Sequence, residues 1–339
     1  MRIRTLVFGF LIGISTAFGA VNCATIGQNG WVPRHIPEEC YPARTFGFAS
    51  PASPARVQEI VRILRSSLDF VKVDTDASAS TVTVHGSAEK LAMTDWLMRE
   101  LDQPAAKTAP RVDKYVVSTA LQKELGPLVP KPATANDQVM GVFFLAHTDD
   151  RGIQELLANL RVVGDVWKIA NDSTGKKLVV RGPEAQLAMT KYFIDALDVA
   201  PETAAAVPDF KSGTEVVRLF FTRQLKWPAP TSQILTALRN VVEIQHVFMF
   251  SAPAAIAVRG SADEIAAADW LIRSLETKPS SGAREFRFAG TDREDNVMRV
   301  FYQPHVKIDT MKSSAFDNPA ALLVRGSASQ VAAAELLMQ

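Results

Sequence analysis

Histidine holds metals and moves protons near neutral pH, so the five histidines, His35, His85, His147, His246 and His305, are the first candidates for chemistry. No two share one helical face at i, i+4 spacing, and H-E-x-x-H is absent. The nucleophile elbow G-x-S-x-G, the Walker loop and G-x-G-x-x-G are missing too, so hydrolase, nucleotide and dinucleotide chemistry have no signal. Two acidic runs remain, HTDDR at residues 147–151 and TDRED at residues 291–295. Each precedes helical spacing, where aspartate caps the first turn and meets the positive end of the helix dipole. They read as caps in preference to a calcium site. The expectation is therefore no catalytic, cofactor-binding or metal-binding residue, no cofactor, and no enzyme.

Cys23 and Cys40 are the only cysteines. If the chain is exported, an oxidising compartment lets them close a loop around WVPRHIPEE; otherwise they are two separate thiols. Residues 1–20 read as a secretory signal peptide: a basic MRIR start, a short apolar run from Leu6 to Ala17, and small residues near Gly19 and Ala20. The run is shorter than the roughly 20 residues a membrane span needs, and no later run is long enough, so the mature chain is expected to carry no transmembrane span. The 37 Lys and Arg against 36 Asp and Glu give a charge of +1. Loss of Arg2 and Arg4 would bring the mature chain near −1. Such a chain has no general attraction for nucleic acid or an anionic membrane.

The elements that would position any site come as one unit written four times. Aligned on Gly86, Gly182, Gly260 and Gly326, each copy has valine two residues earlier: Val84, Val180, Val258, Val324. Leu97, Phe193, Leu271 and Leu337 stand eleven residues later. Leu101, Leu197 and Leu275 follow, and then the acids Asp102, Asp198 and Glu276. Aliphatic TVTV, KLVV, AIAV and ALLV suit buried strands. The glycine permits a turn, or a close approach, that a side chain would block. Ser87, Ser261 and Ser327 are N-cap candidates, and Ser261 with Glu264, like Ser327 with Gln330, fits a capping box.

Upstream, apolar residues at helical spacing predict a first helix in each unit: Val57 to Leu68, Ile153 to Leu160, Ile234 to Val242, and a short version at Val297, Val300 and Phe301. RTFGFA, GVFFLAHT, EVVRLFFT and REFRFAGT read as first strands; FVKVDT, VWKIAN, HVFMFS and HVKIDT read as second strands. The fold class is α+β, four tandem β-α-β-β-α units of KH-like outline. The units fall at 44–104, 141–200, 214–279 and 284–339. Residues 21–43 form an N-terminal segment with the cysteine pair, and 201–213 are a linker. Residues 105–140 are an elaborated linker in which KYVVSTALQKELGPLV can add a strand and a short helix.

These units resemble the short N-domains of bacterial secretins, the ring-forming outer-membrane channels of type II and III secretion and type IV pili. The likeness lies in the valine-x-glycine strand and in helices closing on LMRELD (97–102), FIDALD (193–198) and LIRSLE (271–276). It covers about residues 44–339. It implies a periplasmic or outer-membrane-associated protein whose partners are copies of itself or secretin-like domains. A secretin continues into a β-rich barrel and this sequence does not, which suggests a separate ring, scaffold or accessory protein, or a truncated product of a longer gene.

Trp96, Tyr192 and Trp270 sit ten residues after their glycines, nearly opposite the buried stripe of their helices. They are interface candidates, facing another unit or another subunit; the alternative places each ring against its own linker. His85 holds the place of arginine in the other copies, which favours a surface role. Two other classes stay open. An exported enzyme or ligand-binding protein would need a site with no familiar motif. A KH-like nucleic-acid binder would need a G-x-x-G loop and a basic face, and neither is apparent.

Overall fold

The computed structural model describes residues 38–48, 52–76, 78–125, 138–222, 229–277, 283–289, 294–304, 308 and 311–338. The first unit runs β1 (Ala43–Gly47), α1 (Pro54–Leu68), β2 (Val73–Asp76), β3 (Thr81–His85) and α2 (Ala88–Asp102). Its sheet has the order β1-β3-β2, antiparallel throughout. The second unit has β4 (Arg111–Val116), α3 (Thr119–Glu124), β5 (Gln138–Phe144), α4 (Asp150–Val162), β6 (Ile169–Asp172), β7 (Lys177–Pro183) and α5 (Glu184–Leu197). The third has β8 (Phe210–Ser212), β9 (Glu215–Phe221), α6 (Ala229–Ala237) continued by a π turn (Leu238–Val242), β10 (Val247–Ser251), β11 (Ala254–Gly260) and α7 (Ala262–Glu276). The fourth has β12 (Ala283–Arg287), β13 (Val297–Tyr302), β14 (Lys312–Asp317), β15 (Ala320–Gly326) and α8 (Ala328–Met338).

The α+β class holds, with four small antiparallel sheets. The elements differ from the sequence reading in three places. The last three sheets each carry an edge strand, β4, β8 or β12, beside β5, β9 or β13; β4 and α3 are the strand and short helix that KYVVSTALQKELGPLV can add. REFRFAGT is therefore such an edge and not the unit's first strand. The last unit has no first helix among the described residues: Val297, Val300 and Phe301 lie on strand β13, where β12 and β15 pair with them from both sides. Three apolar residues at mixed spacing fit either period, and pairing decides between them. Of TDRED only Glu294 and Asp295 are described, and Asp295 meets Lys312 at 2.8 Å. Of HVKIDT only Ile308 is described, and it carries no strand.

Each sheet after the first is buried on both faces. Alternate residues of β5 divide between two cores. Val139 and Phe143 pack with helices α4 and α5 of their own unit, while Met140, Val142 and Phe144 pack with α1 and α2 of the unit before. Leu219 of β9 joins the second unit's core in the same way, and Met298 and Val300 of β13 join the third's. The period-2 side-chain alternation of a strand makes this possible. The chain is thus a stack in which the helix layers of the first three units are each closed by the next sheet. The first sheet turns a polar outer face to solvent, with the Thr45 and Thr83 hydroxyls 2.8 Å apart. At the other end Leu336 and Leu337 of α8 are exposed.

Candidate functional site

The polar chemistry of the chain gathers at the joints between units, and each joint repeats the last. The first helix of units one and three ends on an acid in left-handed conformation, and in unit two the acid lies three residues past the helix end: Asp69 (φ 55°), Asp165 (φ 53°), Glu243 (φ 73°). Glycine or asparagine adopts that conformation at lower cost, so the acid is there for its charge. It meets the arginine that precedes the glycine of the following unit. Arg181 Nη2 donates to Asp69 at 2.5 Å, Arg259 Nη1 donates to Asp165 at 2.6 Å, and Arg325 lies 3.6 Å from Glu243. Arg181 is fully buried. Burial lowers its affinity for the proton, and Asp69 opposes that shift. Arg325 also donates to the carbonyls of Val241 and Val242 at 2.9 and 3.1 Å, which are open helix-end acceptors.

A second contact repeats ten residues upstream of the acid. Glu59 accepts from the Ser173 N–H at 2.8 Å, Glu155 from the Ser251 N–H at 2.7 Å, and Gln233 from the Asp317 N–H at 3.1 Å. Each acceptor therefore holds the last residue of strand β10 or β14, or the residue just after β6, in the next unit. At the first joint this grows into a network. Arg56 is bonded to Asp172, Lys177 Nζ donates to the Leu101 carbonyl at 2.7 Å, and Lys168 is bonded to Asp69. Burial pushes the Lys177 ammonium pKa down, with Asp172 opposing. Burial also pushes the Glu59 carboxyl up, but the Ser173 N–H, the Thr174 hydroxyl and Arg56 outweigh it and hold it below the usual range.

A third contact is aromatic. Trp96 on α2 lies 5.4 Å from Tyr115 on β4, Tyr192 on α5 lies 5.4 Å from Phe210 on β8, and Trp270 on α7 lies 5.6 Å from Phe286 on β12. Each tilted pair joins the second helix of one unit to the edge strand of the next, with centroid spacings typical of aromatic pairs. All three rings are half-buried. Tyr192 is pushed up to about 12 by burial, with Asp209 adding to the shift. The rings thus face a neighbouring unit of the same chain. The equivalent residue of the last unit, Leu336, is bare.

The glycines sit at the strand-to-helix step: Gly86 after β3, Gly182 within β7, Gly260 and Gly326 closing β11 and β15. None of them has positive φ; among the described glycines only Gly213 does. Space is the constraint. The residue four positions on folds back over each glycine, so that an added Cβ would lie 3.2 Å from Lys90 Cβ at Gly86, 2.3 Å from Gln186 Oε1 at Gly182, 2.7 Å from Glu264 Oε2 at Gly260, and 2.8 Å from Gln330 Oε1 at Gly326. In two copies that residue closes the capping box with Ser261 or Ser327.

The head of the stack is closed differently. His85, in the arginine place, has its Nδ1 3.1 Å from the Tyr41 carbonyl. Glu38 accepts from the N–H groups of Val71 and Lys72, both at 3.0 Å, and from Lys90 Nζ at 3.1 Å. A segment before β1 thereby supplies the acid that a preceding unit supplies elsewhere. Cys40, in that segment, is disulfide-bonded; Cys23 lies outside the described residues, as do His35, His305 and the expected signal peptide. Elsewhere Asp149 caps α4 by accepting from the Gly152 N–H at 2.8 Å. Buried Asp198 accepts from the N–H groups of Ala146, His147 and Thr148 at 2.6 to 2.8 Å. Among the described residues no three His, Cys, Asp or Glu side chains gather as a metal site, and no helix is long and apolar enough to cross a membrane.

The sequence reading missed the joint acids. Their signal was present: Asp69, Asp165 and Glu243 each stand 17 residues before their unit's glycine. They serve the next unit's arginine, however, and that pairing is invisible within one copy. Asp309 has the same spacing before Gly326 and lies outside the described residues.

No family model matches the chain, and no curated protein matches it. Solved structures give distant likenesses. The type II secretion system secretin GspD of E. coli K12 is 13% identical, with 70% of this chain and 39% of that one covered at a TM-score of 0.16. Aeromonas hydrophila ExeD is 12% identical, with 84% and 59% covered at 0.16. The secretin XcpQ of Pseudomonas aeruginosa is 12% identical, with 84% and 78% covered at 0.17. This chain spans about two fifths of the first of these. At such scores the likeness decides nothing about function.

Proposed function

We propose that the chain is an exported, non-enzymatic assembly protein, a rigid arm of secretin N-domain-like units that serves protein secretion or pilus-type machinery at the outer membrane. The observation that carries this reading is the joint itself. The same three contacts, acid to arginine, acceptor to strand-end N–H and ring to ring, are laid down at three successive joints, and every sheet after the first closes the helix layer before it. Such repetition suits a part whose work is to hold a spacing and present like faces. The amino-terminal signal sequence and the disulfide at Cys40, which we pair with Cys23, support export to an oxidising compartment. The bare apolar residues Leu336 and Leu337 on α8 offer a further helix layer for the sheet of a like unit. The polar outer face of the first sheet is a poor match for it, so a secretin-like domain of another protein is the favoured partner over head-to-tail stacking of copies.

Sedimentation of the purified mature chain, alone and mixed with the periplasmic region of a secretin encoded nearby, tests this. A complex is expected, and Leu336→Lys should weaken it at least tenfold with the melting temperature unchanged. A chain that stays monomeric and ignores that region up to about 100 μM, a limit of about 5.5 kcal/mol, defeats the reading.

A further inference from the structure

The contacts that all three joints share cannot tell one sheet from another. One place differs between the joints. Strand register sets Asp172 opposite Lys177, Phe250 opposite Ala255 and Phe316 opposite Ala321, at equivalent places beside the last turn of each sheet. All six residues are buried. The third and fourth sheets therefore offer an apolar pair where the second offers an acid and a base. The turns differ to match. The Gly175 N–H donates to Asp172 Oδ1 at 2.8 Å, and Pro253 and Pro319, which have no N–H, stand in its place in the other two.

The helix layers differ in step. Arg56 in the first turn of α1 and Gly152 in the first turn of α4 stand three residues before the equivalent acceptors Glu59 and Glu155. Arg56 Nη2 donates to Asp172 Oδ2 at 3.0 Å and to the Leu101 carbonyl at 3.1 Å, and Nη1 is bonded to Asp172 and Glu59. Lys177 Nζ lies 3.5 Å from Asp172 Oδ2 and donates to the same carbonyl. At Gly152 an added Cβ would lie 3.4 Å from Phe250 Cζ, so the absent side chain leaves that ring its place in the second unit's core. Phe316 packs into the third unit's core in the same way.

Exchanged partners are penalised on both sides. The third sheet on the first helix layer would set Phe250 against Arg56 and take Asp172 from the guanidinium. The second sheet on the second helix layer would set Asp172 opposite Gly152, with no arginine for the acid. A buried charge stripped of its partner is strongly destabilising, whereas a matched buried cluster does little more than offset its own desolvation. The cluster thus contributes little to stability and much to discrimination. We propose that Arg56, Asp172 and Lys177 fix the order of stacking: the first helix layer accepts the second sheet and rejects the third and fourth, of its own chain or of a second copy. This holds whatever the whole chain assembles with.

The test gives the first joint the residues of the second, in the full mature chain. The helix variant is Arg56→Ala, the sheet variant carries Asp172→Phe with Lys177→Ala, and a third chain carries all three changes. Each partial set should lower the urea midpoint, down to failure to fold. The complete set should bring the midpoint back to that of the unaltered chain or above, because it rebuilds an apolar joint. Costs that add, leaving the complete set least stable, would overturn the proposal. Order is read separately, by unfolding each chain in urea, refolding it at high concentration and sedimenting it. The unaltered chain should return to its starting distribution. The complete variant should return with a larger share of heavier species, because its second sheet then fits the second helix layer of a neighbouring chain as well as its own first. Equal distributions for the two chains would also overturn the proposal.

Discussion

At Gly260 an added Cβ would lie 2.7 Å from Glu264 Oε2 and 3.1 Å from Glu264 Cβ, both inside normal contact. The carboxylate cannot yield freely, because it accepts from the Ser261 N–H at 2.8 Å and closes the capping box of α7. Gly260→Val is therefore expected to open the box as well as crowd the step. The first effect costs about 1 kcal/mol, and the two together roughly 1 to 3 kcal/mol. Urea unfolding of the variant measures it. An unchanged midpoint would mean that the Glu264 side chain moves aside without loss. Ser261→Gly relaxes the cap without the crowding, so the difference between the two variants separates the causes.

Between elements the decisive contact is the acid-arginine joint, and Arg181 is its most buried instance. Arg181→Ala takes from Asp69 its buried partner and leaves its bond with Lys168. Removing one partner of a buried pair costs about 3 to 5 kcal/mol. Asp69→Asn keeps a residue that tolerates left-handed conformation and removes the charge. The double variant should then cost less than the two single costs summed, and a double-mutant cycle by chemical denaturation reads the coupling. Additive costs would show that the two side chains act separately. How far the sequence revealed these elements follows from their range. The strand-glycine-helix step was legible because capping box, aliphatic strand and apolar stripe all fall within 20 residues. The first helices were legible in three units, where the stripe runs two turns or more. In the last unit three residues, Val297, Val300 and Phe301, carried the signal, and the strand won because β12 and β15 both pair with it. Of the edge strands, β8 was hidden in the 201–213 linker, while β4 and β12 were legible as strands and only their place at the sheet edge needed the pairing. The off-stripe position of Trp96, Tyr192 and Trp270 was legible; their partners Tyr115, Phe210 and Phe286 were not, since each lies on an edge strand.

Across the whole molecule, no internal unit can leave without baring the sheet face of its neighbour, so unfolding at neutral pH should be close to one transition despite four separable cores. Acid distinguishes the joints. The acceptors at equivalent places are Glu59, Glu155 and Gln233, so the first joint titrates at that position and the third does not. Burial raises Glu59, yet the Ser173 N–H, the Thr174 hydroxyl and Arg56 bring it net below its ordinary 4.5. A depressed folded pKa means that the native state holds the proton less tightly than the unfolded chain does. The stabilisation is then present above about 4.5 and is lost as pH falls through the folded value. Protonation at once weakens the bond from the Ser173 N–H and leaves Arg56 with Asp172 and the Leu101 carbonyl. Thermal unfolding followed from pH 7 to pH 3 should therefore broaden and split at the acid end, with the first unit separating from the second. Glu59→Gln copies the third joint. It should lower stability at pH 7 and flatten the loss between about pH 4.5 and 3. Equal acid slopes in the variant and the unaltered chain would place the titrating group elsewhere.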